Sequence, residues 1–321
     1  MAVFDIFSVD RELDLLEFRL RTLNEVVDRF VIVEGTRTYT GKPKRLWVSE
    51  HLDRFAPWAD KLDVLVVSLP AEAPNAWARE HAQNRRKRDF ITDYTTAADH
   101  ILLGDVDELP RPAAVRDVCR PGRTEPIRLE MTHAEIFANW VRPVRWRTGT
   151  TVIDIRMIDH PAVSPRLGDH TRPNEGGRLV PDAGIHLSGL GGAAAMRHKL
   201  ESYSHAEFFL ERDRAPGHLD RCVGHAVHIT GELSYRVVRR ADLDPLLTPL
   251  LATNPEFFSF DPVGKWSQLC WRSWTRLRRR DAVPQRLVGF LDRAPWLITS
   301  VLGPVVIVGD RIDRYRSGAG T

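Results

Sequence analysis

The hydrophobic pattern changes character along the chain. Residues 3–9 form a short apolar run of strand type. Leu13, Leu16, Leu20, Leu23 and Val27 then recur at spacings of three and four, which predicts an amphipathic helix over 11–27. Phe30–Glu34 is a second apolar strand ending in an acid, and 36–43 is a polar loop with Gly41 and Pro43. Leu62–Leu69 predicts a third strand, 75–92 a charged helix carrying Trp77, and Ile101–Asp105 a further strand. This alternation predicts an α/β fold with a mainly parallel, doubly wound sheet. Ligands of such sheets gather at the carboxyl ends of the strands. Glu34 and Asp105 both fall at such ends.

After residue 125 the pattern becomes irregular. Ile127–Met131, Thr150–Met157 and Leu187–Ser188 read as shorter strands. Gly189–Gly192 reads as a turn into a helix over 193–202, and 245–261 holds two proline-bounded elements. No Ser/Gly linker separates the halves, so a shared core is expected over 1–262. A basic, Trp-rich helical extension is expected over 263–321. There Trp266, Trp271 and Trp274 are interleaved with Arg272, Arg276, Arg278, Arg279 and Arg280. Residues 294–309 carry no charge but include Pro295, Gly303 and Pro304, and the run is shorter than the ~20 residues of a membrane span. Two readings stand side by side: peripheral contact with an anionic membrane through this segment, or an arginine-rich helix docked on protein by its tryptophans.

Composition narrows the class. The chain has 321 residues, with 43% hydrophobic and 28% charged, as in an ordinary globular protein. A net charge of +3 is too balanced for nucleic-acid binding by the chain as a whole. Cys119, Cys222 and Cys270 form neither a metal spacing nor a disulfide framework, which fits a reducing compartment. No signal peptide is legible at the N-terminus, so a cytoplasmic location is expected, peripheral at the membrane if the extension binds lipid.

The chemistry concentrates in Gly104-Asp105-Val106-Asp107-Glu108-Leu109-Pro110. Residues i and i+2 of an extended chain point to one side. Asp105 and Asp107 are therefore expected to project together, with Val106 turned to the core. Pro110 and Pro112 are expected to end the strand and leave the acids at a rim. Two carboxylates suit Mn²⁺ or Mg²⁺, whose remaining ligands come from water and phosphates. The bland alternative is a charged strand-to-turn junction.

Several blocks, in order, resemble glycosyltransferase family 17. They are Leu13–Leu20, Val26–Glu34, Gly41–Lys44, Trp77–Glu80 with Gln83, Gly104–Pro110, Asp182–Ser188 with Lys199, Leu200 and Ser202, and Asn254–Phe258. Together they cover roughly residues 4–260. Two departures are Ile185, where the block usually has Trp, and Asn84, where many members have Arg. The resemblance implies a GT-A-type nucleotide-sugar fold with an irregular acceptor-side half. It implies a metal-dependent inverting transfer of GlcNAc from UDP-GlcNAc to a glycan, glycolipid or other glycosidic acceptor.

On that footing Asp105, Asp107 and His186 are the expected metal contacts. Glu34, Lys42, Arg79, Gln83 and Asp105 are the expected donor contacts; Arg79 and Gln83, four apart, share a helix face. Glu108 is expected to cap its turn. An inverting transfer needs a base for the acceptor proton, and carboxylates are the usual choice. Glu135, Asp154, Asp182 and Glu207 are the candidates, with Asp182 favoured for its place beside the His186 block and Glu207 for its closeness to His205. Two other classes compete: a non-catalytic carbohydrate-binding protein, and an Asp-x-Asp phosphohydrolase.

Overall fold

The computed structural model describes residues 1–279 except 123, 170–174, 206–208, 210–212, 214–216 and 261–263, together with 286, 287, 290, 291 and 298. In chain order the first half contains β1 (Val3–Val9), α1 (Leu13–Leu23), β2 (Arg29–Gly35), β3 (Leu62–Val67), α2 (Ala76–Tyr94), β4 (His100–Asp105), β5 (Glu108–Pro110) and α3 (Pro112–Val118). The second half contains β6 (Ile127–Glu135), β7 (Trp140–Val141), β8 (Thr151–Ile153), β9 (Arg178–Ser188), α4 (Gly192–Ser202), α5 (His218–Gly224), β10 (Arg236–Val237), α6 (Thr248–Thr253) and α7 (Lys265–Arg278).

The expected α/β sheet is present, and its first half is parallel. β1 lies between β2 and β4, with β3 outside β2, all parallel. Apart from their first residues, β1 and β2 are buried throughout, as both-faces-covered parallel strands require. Leu16, Leu20 and Leu23 of α1 pack with Phe7, Phe30 and Ile32 on one face. Phe90 and Ile91 of α2 pack with Ile6, Val31 and Leu103 on the other. β8 then runs antiparallel between β4 and β6, and β9 lies parallel to β6.

Three sequence expectations shift. Pro110 does not end the chain's extended run: Glu108–Pro110 forms β5, which pairs antiparallel with β9, and Pro112 opens α3. β9 has 11 residues, although only Leu187–Ser188 reads as strand in the sequence. Pro181 and Gly184 interrupt its pattern, and a register shift opposite Leu129/Met131 absorbs them. The third concerns the extension. Trp271 and Trp274 of α7 are buried against Val227 and Ile298. Gln268 Nε2 donates to the Ala226 and Tyr235 carbonyls. A side chain at Gly231 would strike the α7 backbone, with Arg276 N 2.7 Å from an added Cβ. These two tryptophans therefore face protein, not lipid headgroups, and α7 shares a core with the preceding half. Among the described residues no helix is long and apolar enough to cross a membrane. The Trp266 side chain, and all of 294–309 except Ile298, lie outside the described residues.

One polar group sits at the centre of the parallel half. Arg19 of α1 and Asp5 of β1 are both fully buried. The guanidinium donates through Nε and Nη2 to the Asp5 carboxylate, at 2.8 and 2.6 Å. Its Nη1 donates to the Asp105 carbonyl at 3.2 Å and to the Glu108 carbonyl. The turn between β4 and β5 is thus tied from beneath. Arg19→Met leaves Asp5 uncompensated in the core and is expected to destabilise by about 3–5 kcal/mol. Arg19→Met/Asp5→Leu is expected to regain part of that loss. Urea unfolding measures both; a single-mutant change below about 1 kcal/mol contradicts this role.

Docking of α7 carries its own pH dependence. The His225 ring stacks on Trp271, with centroids 4.6 Å apart. Burial pushes His225 down to about 4. An unfolded imidazole titrates near 6.5, so the unfolded state binds the proton first, and stability is lost as pH falls from about 6.5 to about 4. Thermal unfolding of wild type is expected to fall more steeply across that window than that of His225→Gln. Equal slopes contradict the assignment.

Candidate active site at the carboxyl ends of the strands

The Asp-x-Asp turn opens into a cavity of about 1080 Å³ lined by Asp10, Asp105, Asp107, Glu135, His186 and Lys199, among others. Asp105 ends β4 opposite Ser8 of β1, and Asp10 follows the end of β1. Val106 is buried, as the alternation predicts. Gly104 is required by crowding: an added Cβ would lie 2.6 Å from Thr150 Oγ1.

Fixed cations surround these acids. Lys87 is fully buried; its ammonium donates to the Gly104 carbonyl at 3.1 Å and stands 3.8 Å from Asp105 Oδ1. Burial holds Lys87 below the usual lysine range, against the pull of Asp105. Arg166 spans Asp105 Oδ2, at 2.6 Å, and the Glu108 carboxylate, and also donates to the Thr148 carbonyl at 2.7 Å. Burial would lower the Arg166 guanidinium, but Glu108 and Asp105 outweigh it and raise it above its ordinary value. Glu108, also bonded by Trp146 Nε1 at 3.0 Å, braces the turn as expected.

Asp107 has a separate set of partners. Lys199 Nζ of α4 donates to Oδ2 at 2.8 Å, and His186 Nε2 of β9 lies 3.4 Å from the same oxygen. Burial would raise the Asp107 carboxyl; Lys199 and His186 overcome it and hold it far below the usual carboxylate range. His186 stacks on His133, centroids 4.5 Å apart, and against Trp146. On β1's side, Asp10 accepts from His198 Nε2 at 2.8 Å and faces Lys44 Nζ at 3.1 Å.

The structure brings together Asp105, Asp107, Glu135, His186 and Gln83 around the cavity and places Glu34, Lys42, Arg79, Asp154 and Asp182 outside its lining. Glu34 is fully buried and accepts from Val48 N, Ser49 N and Ser49 Oγ at 3.0–3.2 Å. It caps the 3-10 segment Ser49–Trp58 and does not line the cavity. The Arg79 guanidinium is spent on the carbonyls of Pro70, Tyr39 and Ala71, so it clamps two loops. Gln83 Nε2 donates to the Val33 carbonyl at 3.2 Å. Lys42 is 64% exposed and faces Glu201 outside the cavity, whereas Thr38, Tyr39 and Lys44 of its loop line it.

Asp182 also lies outside. It sits in the β9 bulge, with φ +50°, four residues before His186. Its side chain is 63% exposed beside Arg111 and Arg145. Asp154 caps a 3-10 turn and pairs with Arg156. Glu207 lies outside the described residues. Ile185 points into the core, so the departure from Trp there takes nothing from the cavity. Sequence reasoning missed Arg166, Lys87, Asp10 and any role for Lys199. The strand-end rule would have found Asp10; Lys199 stood in a matched block; Arg166 and Lys87 carry no local signal.

A divalent cation is testable against these donors. Asp107 Oδ2 and His186 Nε2 stand 3.4 Å apart, close to the ~3 Å edge spanned by two ligands of one octahedral ion. Among the described residues no three His, Cys, Asp or Glu converge on one point. Asp105 turns instead to Arg166. The site therefore fits an ion with two protein ligands, Asp107 and His186, completed by water and phosphate.

The curated relatives found include human and rat β-1,4-mannosyl-glycoprotein 4-β-N-acetylglucosaminyltransferase. They are 28% and 27% identical over 149 residues, 44% of this chain and 28% of theirs. The match thus spans little more than a quarter of those relatives. Among solved structures, HddC from Yersinia pseudotuberculosis is 10% identical with a TM-score of 0.34, covering 59% of this chain and 91% of its own. S. aureus TarS 1–349 is 13% identical with a TM-score of 0.35, covering 99% and 92%. Both are distant likenesses. The family comparison is broader, for the glycosyltransferase family 17 model matches residues 1–220, so more than half of the sequence is accounted for and this chain belongs to glycosyltransferase family 17.

Proposed function

We propose that the chain transfers a sugar from a nucleotide-sugar donor to a hydroxyl of a glycan or other glycosidic acceptor, with inversion. UDP-GlcNAc is the donor the family resemblance favours, and a GT-A-type site the arrangement it implies. The observation that carries the reading is Asp107 held between Lys199 and His186 at the mouth of the parallel strands.

The reaction needs a diphosphate to leave. The acceptor oxygen bonds to the anomeric carbon as the bond from that carbon to the diphosphate breaks, and the diphosphate keeps the electron pair. Fixed positive groups in a water-poor site stabilise that charge without reorganising. Lys199 and Arg166 are such groups, each set by carboxylates that keep it protonated. Asp107 and His186 would hold Mn²⁺ or Mg²⁺, which when bound supplies Lewis-acid neutralisation of the leaving group. Asp105, engaged with Arg166 and Lys87, orients those cations.

Asp107→Asn is expected to lower kcat/KM at least about 100-fold, the scale of losing one electrostatic contact to developing charge. Asp182→Asn, on the rim, is expected to stay within about twofold, since it touches only exposed ion pairs. Release of UDP from UDP-GlcNAc with a chitooligosaccharide acceptor, with and without Mn²⁺, reads both. Inorganic phosphate released from simple phosphate esters would show a phosphohydrolase. UDP-GlcNAc binding without any turnover would show a carbohydrate-binding protein.

A further inference from the structure

We propose that Glu135 is the general base of this site, its Oε1 taking the acceptor proton one strand step from Asp107. The inference rests on the glycosyl-transfer reading. β6 and β9 run in register, with His133 beside His186 and Glu135 beside Ser188. His133 stacks on His186, which adjoins Asp107. Side chains two apart on a strand share a face, about 6.5–7 Å apart. Glu135 thus lines the same cavity one pleat beyond His133.

Its two oxygens are treated differently. Oε2 accepts from the Tyr235 hydroxyl at 2.8 Å and from Arg142 Nη1 at 3.3 Å. Oε1 faces His228 Nε2 across 3.9 Å, too far for a hydrogen bond. The His228 ring is fixed from behind, where Nδ1 lies 2.7 Å from Thr230 Oγ1 and 3.3 Å from Thr230 N. Arg142, His228 and Tyr235 all line the cavity with Glu135. One oxygen is anchored, and the other is left for an incoming hydroxyl.

The backbone supports the placement. Ile136, directly after Glu135, has φ +72°, a left-handed value that β-branched residues rarely adopt. Three hydrogen bonds hold it there: Ile136 N donates to Ser188 O at 2.9 Å, and Gly191 N and Gly192 N donate to Ile136 O at 3.1 and 3.2 Å. Strain over-determined in this way is typical of functional positions. The turn ends β6 with the carboxylate at the cavity. Electrostatics agrees: burial would raise the Glu135 carboxyl, but His228, Arg142, the Tyr235 hydroxyl and Lys199 outweigh it and keep it below the ordinary range. A base must be ionised before it accepts a proton.

Four other acids of the cavity are held in ion pairs. Asp10 uses both oxygens on His198 and Lys44. Asp105 and Glu108 hold Arg166, and Asp107 holds Lys199.

The test uses the full chain with UDP-GlcNAc, Mn²⁺ and a chitooligosaccharide. Glu135→Gln is expected to lower kcat at least about 100-fold, the usual scale for a positioned base, with the calorimetric Kd for UDP-GlcNAc within about twofold. Tyr235→Phe removes a bond to the ionised carboxylate, so the acid limb of its kcat/KM profile is expected to move to higher pH. Glu135→Asp is expected to keep an acid limb that Glu135→Gln lacks. Glu135→Gln turnover within about threefold of wild type overturns the assignment. So does loss of turnover and UDP-GlcNAc affinity together, which is a structural effect. If Glu135→Gln does not fold, an unmoved acid limb in Tyr235→Phe overturns it instead. Wild type that neither binds nor turns over UDP-GlcNAc fails the transfer reading itself, a separate result.

Discussion

The site rests on a charge buried where none is needed for burial's sake. Arg19 lies under the β4–β5 turn with Asp5 as its counter-ion, both closed to water. A buried ion pair is a poor source of stability, because desolvation offsets most of its attraction. Its value here is geometric. The planar guanidinium matches the Asp5 carboxylate with two nitrogens, and the third is aimed at the carbonyls of Asp105 and Glu108. A turn that would otherwise depend on its own short sequence is thereby set by the core. Asp105 and Asp107 inherit that position.

Above this anchor, charges alternate in layers. Lys87 lies behind Asp105, Arg166 lies across Asp105 and Glu108, and Lys199 reaches Asp107 from a different helix. Each carboxylate is matched to a cation from a distant part of the chain. In a site of low dielectric such pairs hold their geometry strongly, and an unpaired member is costly. The result is a braced set of paired charges at the carboxyl ends of β1 and β4. β9 links the two sides, since it pairs with β5 at Glu108–His186 and with β6 at His133–His186.

The parallel half was legible because its signals are local. Continuous apolar runs mark β1, β2 and β4, and leucines three and four apart mark α1. Asp107 and His186, which the structure brings together at the cavity, each sit in a short block with a physical reason for a polar residue. Glu34 and Arg79 were misread for the same reason. A matched block contains residues that brace loops as well as residues that meet ligand, and only the hydrogen-bond partners separate them. Asp182 was favoured for its nearness in sequence to His186, but it sits in the β9 bulge and turns to Arg111 and Arg145. The tryptophans of α7 show another limit. Periodicity places them on one face but does not say whether that face meets lipid or protein. Arg166 was invisible, because its meaning lies wholly in a tertiary contact with Asp105 and Glu108.

The central claim is that the braced Asp-x-Asp turn and its cations form the seat of a donor diphosphate. A crystal structure of the protein grown with UDP and Mn²⁺ tests this most directly. The account predicts the diphosphate beside Lys199, with the ion between it, Asp107 and His186, and with Arg19 still bound to the Asp105 and Glu108 carbonyls. A diphosphate bound elsewhere in the cavity, with the Asp107–Lys199 contact undisturbed and no ion at Asp107, would contradict it.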